Sequence, residues 1–373
     1  MDYKIIKSIL ELSKYKDIYD DFLIRNINNE YYYYLYENIK SLQAFLEKNT
    51  KIVFILVFEK DLLIAVAPFQ IKTRHPLYLS SNQLQFIGSQ SHLLGSNYGN
   101  IIRDASYRIE DIDKTILSAL KSKEMVSWDE FEFTNLKQTT TTPFPSDINF
   151  QVKKTSSCYR TPTTQDVISY ISSIMKKKSR QKLTRYKKNI IKDYPDVEFK
   201  TLNVIDNEVF TEISKIHSQR QKQKRENSDY KGFESLFDNG IESDSLMKLS
   251  KWLSTENMLR IYTLNVKNKI IAFLYCIHMN NLSNAVIMAF DNTYSKYSPS
   301  KILALYAFDQ QYNEKNAVEM DFLADSNLFK QQLCPIEIER ITAIAPNPFK
   351  WSSKVKWLYI RFLKSIISRI GRS

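Results

Sequence analysis

Two long apolar runs, folded back on each other across a charged tip, occur once in each half of this chain. The first pair is Lys51–Phe58 and Asp61–Phe69 with the tip Glu59-Lys60-Asp61; the second is Leu259–Val266 and Ile270–Met279 with the tip Lys267-Asn268-Lys269. Runs rich in β-branched and aromatic residues, interrupted by a short polar tip, fold as antiparallel hairpins. The same order of elements follows each hairpin. After the first come the strand Leu84–Gly88, a loop Ser89–Asn100 containing Gly95 and Gly99, the helix Ile109–Lys123 and the strand Trp128–Thr134. After the second come the strand Ala285–Phe290, a turn, the helix Lys301–Asn313 and the strand Ala317–Phe322. Helices precede both hairpins: two in residues 1–47, with a packed tyrosine cluster at Tyr31–Tyr34 and Tyr36, and the region Gln165–Lys192. The strand Val197–Asn203 and more helices in 206–254 complete the second set.

This repetition predicts an α/β (α+β) protein with two tandem domains, each a mixed sheet flanked by helices. The Thr139–Thr142 run with Pro143 and Pro145 sustains neither helix nor central strand, which puts the boundary near residue 150. The expected parts are 1–150, 151–345 and a basic C-terminal helix, 346–373.

Glycine is scarce, six in 373 residues, and no dinucleotide, P-loop, nucleophile-elbow or zinc-protease motif is present. Cys158, Cys276 and Cys334 are far apart, and with four scattered histidines they offer no metal cluster. Cys276, inside an apolar run, reads as a buried thiol. Asp2, Lys4, Lys7 and Glu11 break the N-terminal apolar runs, so no signal peptide is expected, and no stretch is long and apolar enough to span a bilayer. A cytoplasmic location is expected. The net charge of +12 is unevenly spread: residues 1–150 carry 17 Lys+Arg against 19 Asp+Glu, and the rest carry all the positive excess. An anionic ligand would meet the second half.

The segment 285–313 has the layout that binds such a ligand without relying on side chains. A strand leads through a turn into a helix start, where backbone N–H groups and the helix dipole converge. Ser298 and Ser300 suit its cap, Pro299 its first turn, and Lys301 adds positive charge.

Three pieces of sequence resemble the acetyltransferase-like CelD/BcsL family of bacterial polysaccharide biosynthesis, built on the GNAT fold. They are Leu264–Ala272, the stretch Phe290-Asp291 through Tyr294 to Tyr297-Ser298-Pro299-Ser300-Lys301-Ile302-Leu303, and Met320–Asp325 with Phe329-Lys330. Weaker matches extend upstream to Ser179–Arg185 and to His217 and Arg220. The family's turn glycine is Ser300 here and its later glycine is Asp325; a Cβ and an added carboxylate both oppose close phosphate approach. The resemblance implies acetyl-CoA or another acyl-CoA as co-substrate, held by Asp291, Tyr297, Ser298, Ser300 and Lys301, with no metal. It implies Asp321, Lys330 and His217 as catalytic residues, as base or orienting carboxylate, carbonyl polariser and neutral-pH base. Arg220, Tyr98 and Tyr294 would contact the acceptor, a sugar amine, hydroxyl or glycan precursor.

The tandem arrangement and the "f-K" ending also resemble Fem-type peptidyltransferases, which use aminoacyl-tRNA. Lys176–Lys192, with nine Lys/Arg and no acid, suits contact with tRNA phosphates. A third reading is a GNAT-like binding module that has lost its chemistry. Finally, Val355, Leu358, Tyr359, Phe362, Leu363, Ile366 and Ile370 form one helical stripe among Lys356, Arg361, Lys364 and Arg369. Packing on the second domain is the expectation, with contact of 355–370 at an anionic membrane, on its inner face, as the alternative.

Overall fold

The structure, a computed structural model, describes the chain apart from residues 27–31, 47–48, 77–78, 89–97, 139–143, 145–147, 227–234, 316–317, 324–327 and 371–373. Expectations resting on Tyr31, Gly95, the Thr139–Thr142 run with Pro143 and Pro145, and Asp325 lie outside the described residues. Two compact units are present: 1–156 with 339–373, and 157–338. The chain therefore returns to its first unit at the end, where the sequence suggested a C-terminal helix packed on the second domain. Arg340 to Pro346 zip antiparallel onto the strand that ends the first half, which draws the segment back.

Unit 1 contains β1 (Asp2–Ile6), β2 (Thr50–Glu59), β3 (Leu62–Arg74), β4 (Ser81–Phe86), β5 (Ile102–Arg103), β6 (Glu130–Lys137) and the late strand β13 (Ile336–Pro346, entering from unit 2). Its strand order is β1-β2-β3-β4-β6-β13, with β5 on β3. The hairpin β2/β3 forms where the apolar runs lie, turning at Lys60 with φ 56°. The expectation of helix throughout 1–47 fails at the start, because Tyr3, Ile5 and Ile6 extend along β2 from Asp2↔Phe58 to Ile6↔Phe54. Helices α1 (Ile9–Leu12), α2 (Lys16–Asn26) and α3 (Tyr36–Leu42) follow, burying Tyr33, Tyr34 and Tyr36. The helix α4 (Ile109–Lys121) crosses over between β4 and β6, which pair in parallel at Gln83↔Glu130 and Leu84↔Phe131. Phe69, Phe86, Phe131 and Phe133 pack ring against ring beneath it, with Trp128 alongside. Gly99 is required here: a Cβ would sit 2.6 Å from the Phe86 ring.

Unit 2 contains β7 (Gln151–Pro162, entering from unit 1), β8 (Glu198–Leu202), β9 (Leu259–Val266), β10 (Lys269–Met279), β11 (Leu282–Phe290) and β12 (Glu319–Asp321). Their order is β7-β12-β11-β10-β9-β8. The β9/β10 turn places Lys267 and Asn268 at positive φ, the geometry that matches strand twist in tight hairpins. The helical region expected at 165–192 is two helices, α5 (Val167–Ile174) and α6 (Lys177–Asp193), because Met175 and Lys176 are extended. Asp166 caps α5 by accepting from the N–H groups of Ile168 and Ser169 at 3.0 and 2.9 Å. Basic α6 buries Leu183 and Ile190, with Tyr186 packed against the same core. The helices α7 (Asn207–Glu226), α8 (Gly240–Thr255), α9 (Pro299–Glu314) and α10 (Leu328–Leu333) follow, and α9 is the crossover between the parallel pair β11 and β12. Cys276 is fully buried, and burial pushes its thiol up to about 12.

The two units therefore repeat one plan: a four-strand antiparallel run, a crossover helix, a parallel strand, and a last strand supplied from elsewhere in the chain. Unit 1 ends on β13 and unit 2 on β7.

Candidate active site

The parallel pairing in unit 2 stops early. β12 matches β11 only at Leu282↔Glu319, Ser283↔Met320 and Asn284↔Asp321, whereas β11 runs on to Phe290. From Ala285 to Phe290, β11 is paired to β10 on one side and to no strand on the other among the described residues. The chain leaves the sheet after Asp321, with Leu323 at φ 56°. Buried backbone groups need partners, so an open strand edge of this kind is a ready hydrogen-bonding surface for an extended ligand.

The same strand feeds the start of α9. Ser298 is the N-cap, held in the left-handed region at φ 49°, and its side chain makes no capping bond. Pro299 has no N–H, Lys301 N–H donates to Ser298 O at 3.0 Å, and Ser300 N–H has no acceptor among the described residues. No acid lies in the first turn. A helix start with an uncapped N–H and uncompensated dipole attracts an anion.

Most of the expected donor-binding residues gather here. Asp291 caps the short helical turn 292–297 by accepting from Thr293 N–H at 2.9 Å and Thr293 Oγ1 at 2.8 Å, so its carboxylate is committed locally. Tyr297 is buried and donates its hydroxyl to Asp193, which also pairs with Lys296 at 3.3 Å. Those two partners hold the Asp193 carboxyl below its usual range. Tyr294 packs its ring 5.4 Å from Tyr194, and burial raises its phenol. Arg220 donates to Asn292 Oδ1 at 3.2 Å and stacks over Phe290 at 4.5 Å.

Sequence reasoning missed the contribution of α6. Tyr186 faces the start of α9, where Ser298, followed by Lys182 and Lys301, holds its phenol below the usual range. Lys182 lies 5.8 Å from the Tyr186 ring. The i, i+4 spacing of Lys182 and Tyr186 on a basic helix was the available signal. Nothing in the sequence connected that helix to residue 298.

A second cluster sits at the end of β12. Asp321 is fully buried; its Oδ2 accepts from Arg160 Nε at 2.8 Å and its Oδ1 from Leu323 N–H at 2.7 Å. Arg160 is a partner that the sequence did not reveal. Lys330 donates to Phe322 O at 2.7 Å. Lys301 links the clusters, lying 5.5 Å from the ring of Phe329.

Two expected residues have partners of their own. His217 is buried on α7, with Nδ1 2.7 Å from Ser235 Oγ and Nε2 3.1 Å from the Gln221 amide nitrogen. The amide donates, so the ring is neutral with its proton on Nδ1, and burial lowers its pKa to about 4. Both ring nitrogens of this imidazole are engaged, which weighs against the neutral-pH base that the sequence suggested. Tyr98 belongs to unit 1, where it is buried and its carbonyl accepts from Tyr33.

Unit 1 also holds a cavity of about 540 Å³ lined by Lys72, Arg74, Glu130, Glu132, Trp357 and Arg361 among others. It includes none of the expected residues. Among the described residues, no group of three His, Cys, Asp or Glu side chains is placed to hold a metal ion, and no helix is long and apolar enough to cross a membrane.

Comparison with known proteins bears on the fold and on one domain of the chain. Residues 177–331, from the start of α6 into α10, match the acetyltransferase (GNAT) domain family. Three solved structures share the fold at low identity. A conserved protein of unknown function from Bacteroides thetaiotaomicron is 12% identical with a TM-score of 0.57, the match covering 92% of this chain and 100% of that one. FemX is 9% identical at 0.56, covering 92% and 97%. L-PGS from Bacillus licheniformis is 15% identical at 0.53, covering 95% and 96%. No curated protein sequence matches significantly. The fold is GNAT-like, and the class that it and the matched domain define is an acyltransferase.

Proposed function

We propose that the chain moves an acyl group from acyl-CoA to an amine or hydroxyl of a sugar or glycan precursor, in bacterial cell-surface polysaccharide biosynthesis. The observation that carries the donor half is the uncapped, acid-free start of α9 beside the open edge of β11. Ser298, Ser300 and Lys301 would meet the donor's pyrophosphate, with Lys182 adding charge from α6. The open edge of Ala285–Phe290 would pair with the donor's amide-bearing arm. Bound there, acyl-CoA would supply a thioester carbonyl that gathers negative charge under attack; the new C–N or C–O bond would replace the C–S bond, with CoA leaving as the thiol after taking up the acceptor's proton. Lys330, beside the β12 end, is the residue assigned to offset that charge. Asp321 takes a positioning role through Arg160, and His217 has none. The acceptor class rests on the resemblance to the CelD/BcsL family, with Arg220 and Tyr294 as its expected contacts.

A second reading, transfer from aminoacyl-tRNA, is favoured by one observation. The exposed face of α6 forms a groove of about 450 Å³ lined by Lys177, Arg180, Arg185 and Lys188 with Gln181, Thr184 and Asn189, and has no acid. Such a face tracks a phosphate backbone.

Titration with acetyl-CoA, followed by thermal melting, separates the two. Wild type is expected to melt higher with acetyl-CoA, and Lys301→Glu to bind it about a hundredfold more weakly. No shift with acetyl-CoA but a shift with tRNA would replace the first reading by the second.

A further inference from the structure

The C-terminal helix α11 (Trp351–Ile370) has two faces with separate jobs. One is anchored to unit 1. Ser353 Oγ donates to Asp129 Oδ1 at 3.1 Å, Lys356 pairs with Asp129 Oδ2 at 3.1 Å, and Ile360 is buried. Just before the helix, Lys350 donates to Ser127 Oγ at 2.8 Å and Asn347 to Trp128 O at 2.9 Å. These contacts fix the rotation of the helix without using its apolar stripe.

The stripe faces outward. Trp351 is 79% exposed, Leu358 61% and Phe362 63%, and Val355, Tyr359 and Ile366 are exposed with them. At 100° per residue these six side chains fall within one narrow sector that runs along about 22 Å of helix. Contiguous apolar surface of this kind on a folded protein marks an interaction site. Along the edge of the sector lie Lys354 and Arg361, the latter stacked 4.2 Å over Trp357. Residues 346–373 hold seven Lys and Arg and no acidic residue.

We infer that α11 docks this chain on an anionic lipid bilayer, lying flat in the headgroup region with the Trp351–Ile366 stripe turned toward the acyl chains. Charge selects this occupant. A second copy placed α11 against α11 would bring like charges together across a symmetric contact. A nucleic acid would neutralise the cations but leave leucine, valine and phenylalanine in water. An anionic bilayer satisfies both features: apolar side chains enter the interface while lysine and arginine stay at the phosphate level. Trp351 and Tyr359 have the amphipathic rings that settle at that depth.

The test is co-sedimentation of the full chain with vesicles of phosphatidylcholine alone and of phosphatidylcholine with phosphatidylglycerol. Binding is expected to the anionic vesicles, weakening as salt rises. Leu358→Glu with Phe362→Glu should reduce it about tenfold or more. Both side chains are exposed, so the melting temperature should stay at the wild-type value, which separates lost docking from lost folding. Equal binding by the double variant, or no binding by wild type at low salt, would overturn the inference. So would a dimer in solution that the same substitutions dissolve.

Discussion

The crossover helices of the two units hold the same place in their sheets and begin with opposite charge. α4 carries Glu110 and Asp111 in its first turn, so its dipole is already met by carboxylates. α9 carries no acid there, has Lys301 in that turn, and stands beside Lys182. The strands after the helices differ in the same sense. β6 packs Phe131 and Phe133 into an aromatic core, whereas β12 ends on Asp321 buried against Arg160. One plan thus appears twice, with carboxylates at the helix start and aromatic rings on the next strand in unit 1, and an acid-free helix start and a buried ion pair in unit 2. The proposed site rests on that difference in residues and not on the topology.

The largest effect that tests this contrast is at Arg160. Arg160→Ala leaves Asp321 buried without its cation and should cost about 3–5 kcal/mol in chemical denaturation. A loss under about 1 kcal/mol would mean that the pair behaves like a surface bridge and that the polar character of unit 2 is superficial.

Acid should expose the second difference. His217 is neutral in the folded chain with a pKa of about 4, against 6.5 unfolded. Its contribution is complete above pH 6.5 and falls as pH drops toward 4, because the unfolded chain takes up the proton first. The loss approaches about 3 kcal/mol. Melting curves across that window should show it, and His217→Gln should flatten it. An unchanged acid limb in that variant would assign the pH dependence elsewhere.

The smallest effect is the control in unit 1. Glu110→Gln with Asp111→Asn should lower stability by about 0.5–1 kcal/mol and leave acetyl-CoA titrations unchanged. If donor binding fell instead, the assignment of the anion site to α9 alone would break.

Much of the fold was legible because its signals were local. The hairpins β2/β3 and β9/β10, the crossover helices and α11 each announce themselves by apolar periodicity and a tip or cap within a few residues. The strands that close the two sheets were not legible. The first residues of β7 are exposed and polar, and β13 begins Ile336-Glu337-Ile338-Glu339, a pattern that gives no hint of its distant partner β6. The site divides the same way. Ser298, Ser300 and Lys301 could be read from one turn, whereas Arg160 and Asp321 lie 161 positions apart in sequence and meet only through the β7–β12 register. His217 looked like a base because a sequence carries no burial. Its closure by Ser235 and Gln221 depends on how the chain after α7 folds back.

The late strand β13 has a consequence for synthesis. The rest of the unit 1 sheet has been made once residue 137 is translated, yet the strand that covers β6 starts only at Ile336. At ribosomal speeds of about 5–20 residues per second, that wait is roughly 10–40 seconds. Throughout it the nascent chain carries an unfinished β-edge of alternating phenylalanines, a surface that invites pairing with a neighbour on the same message. Chaperone demand during translation, more than the stability of the finished fold, would then govern how much of this protein a cell accumulates.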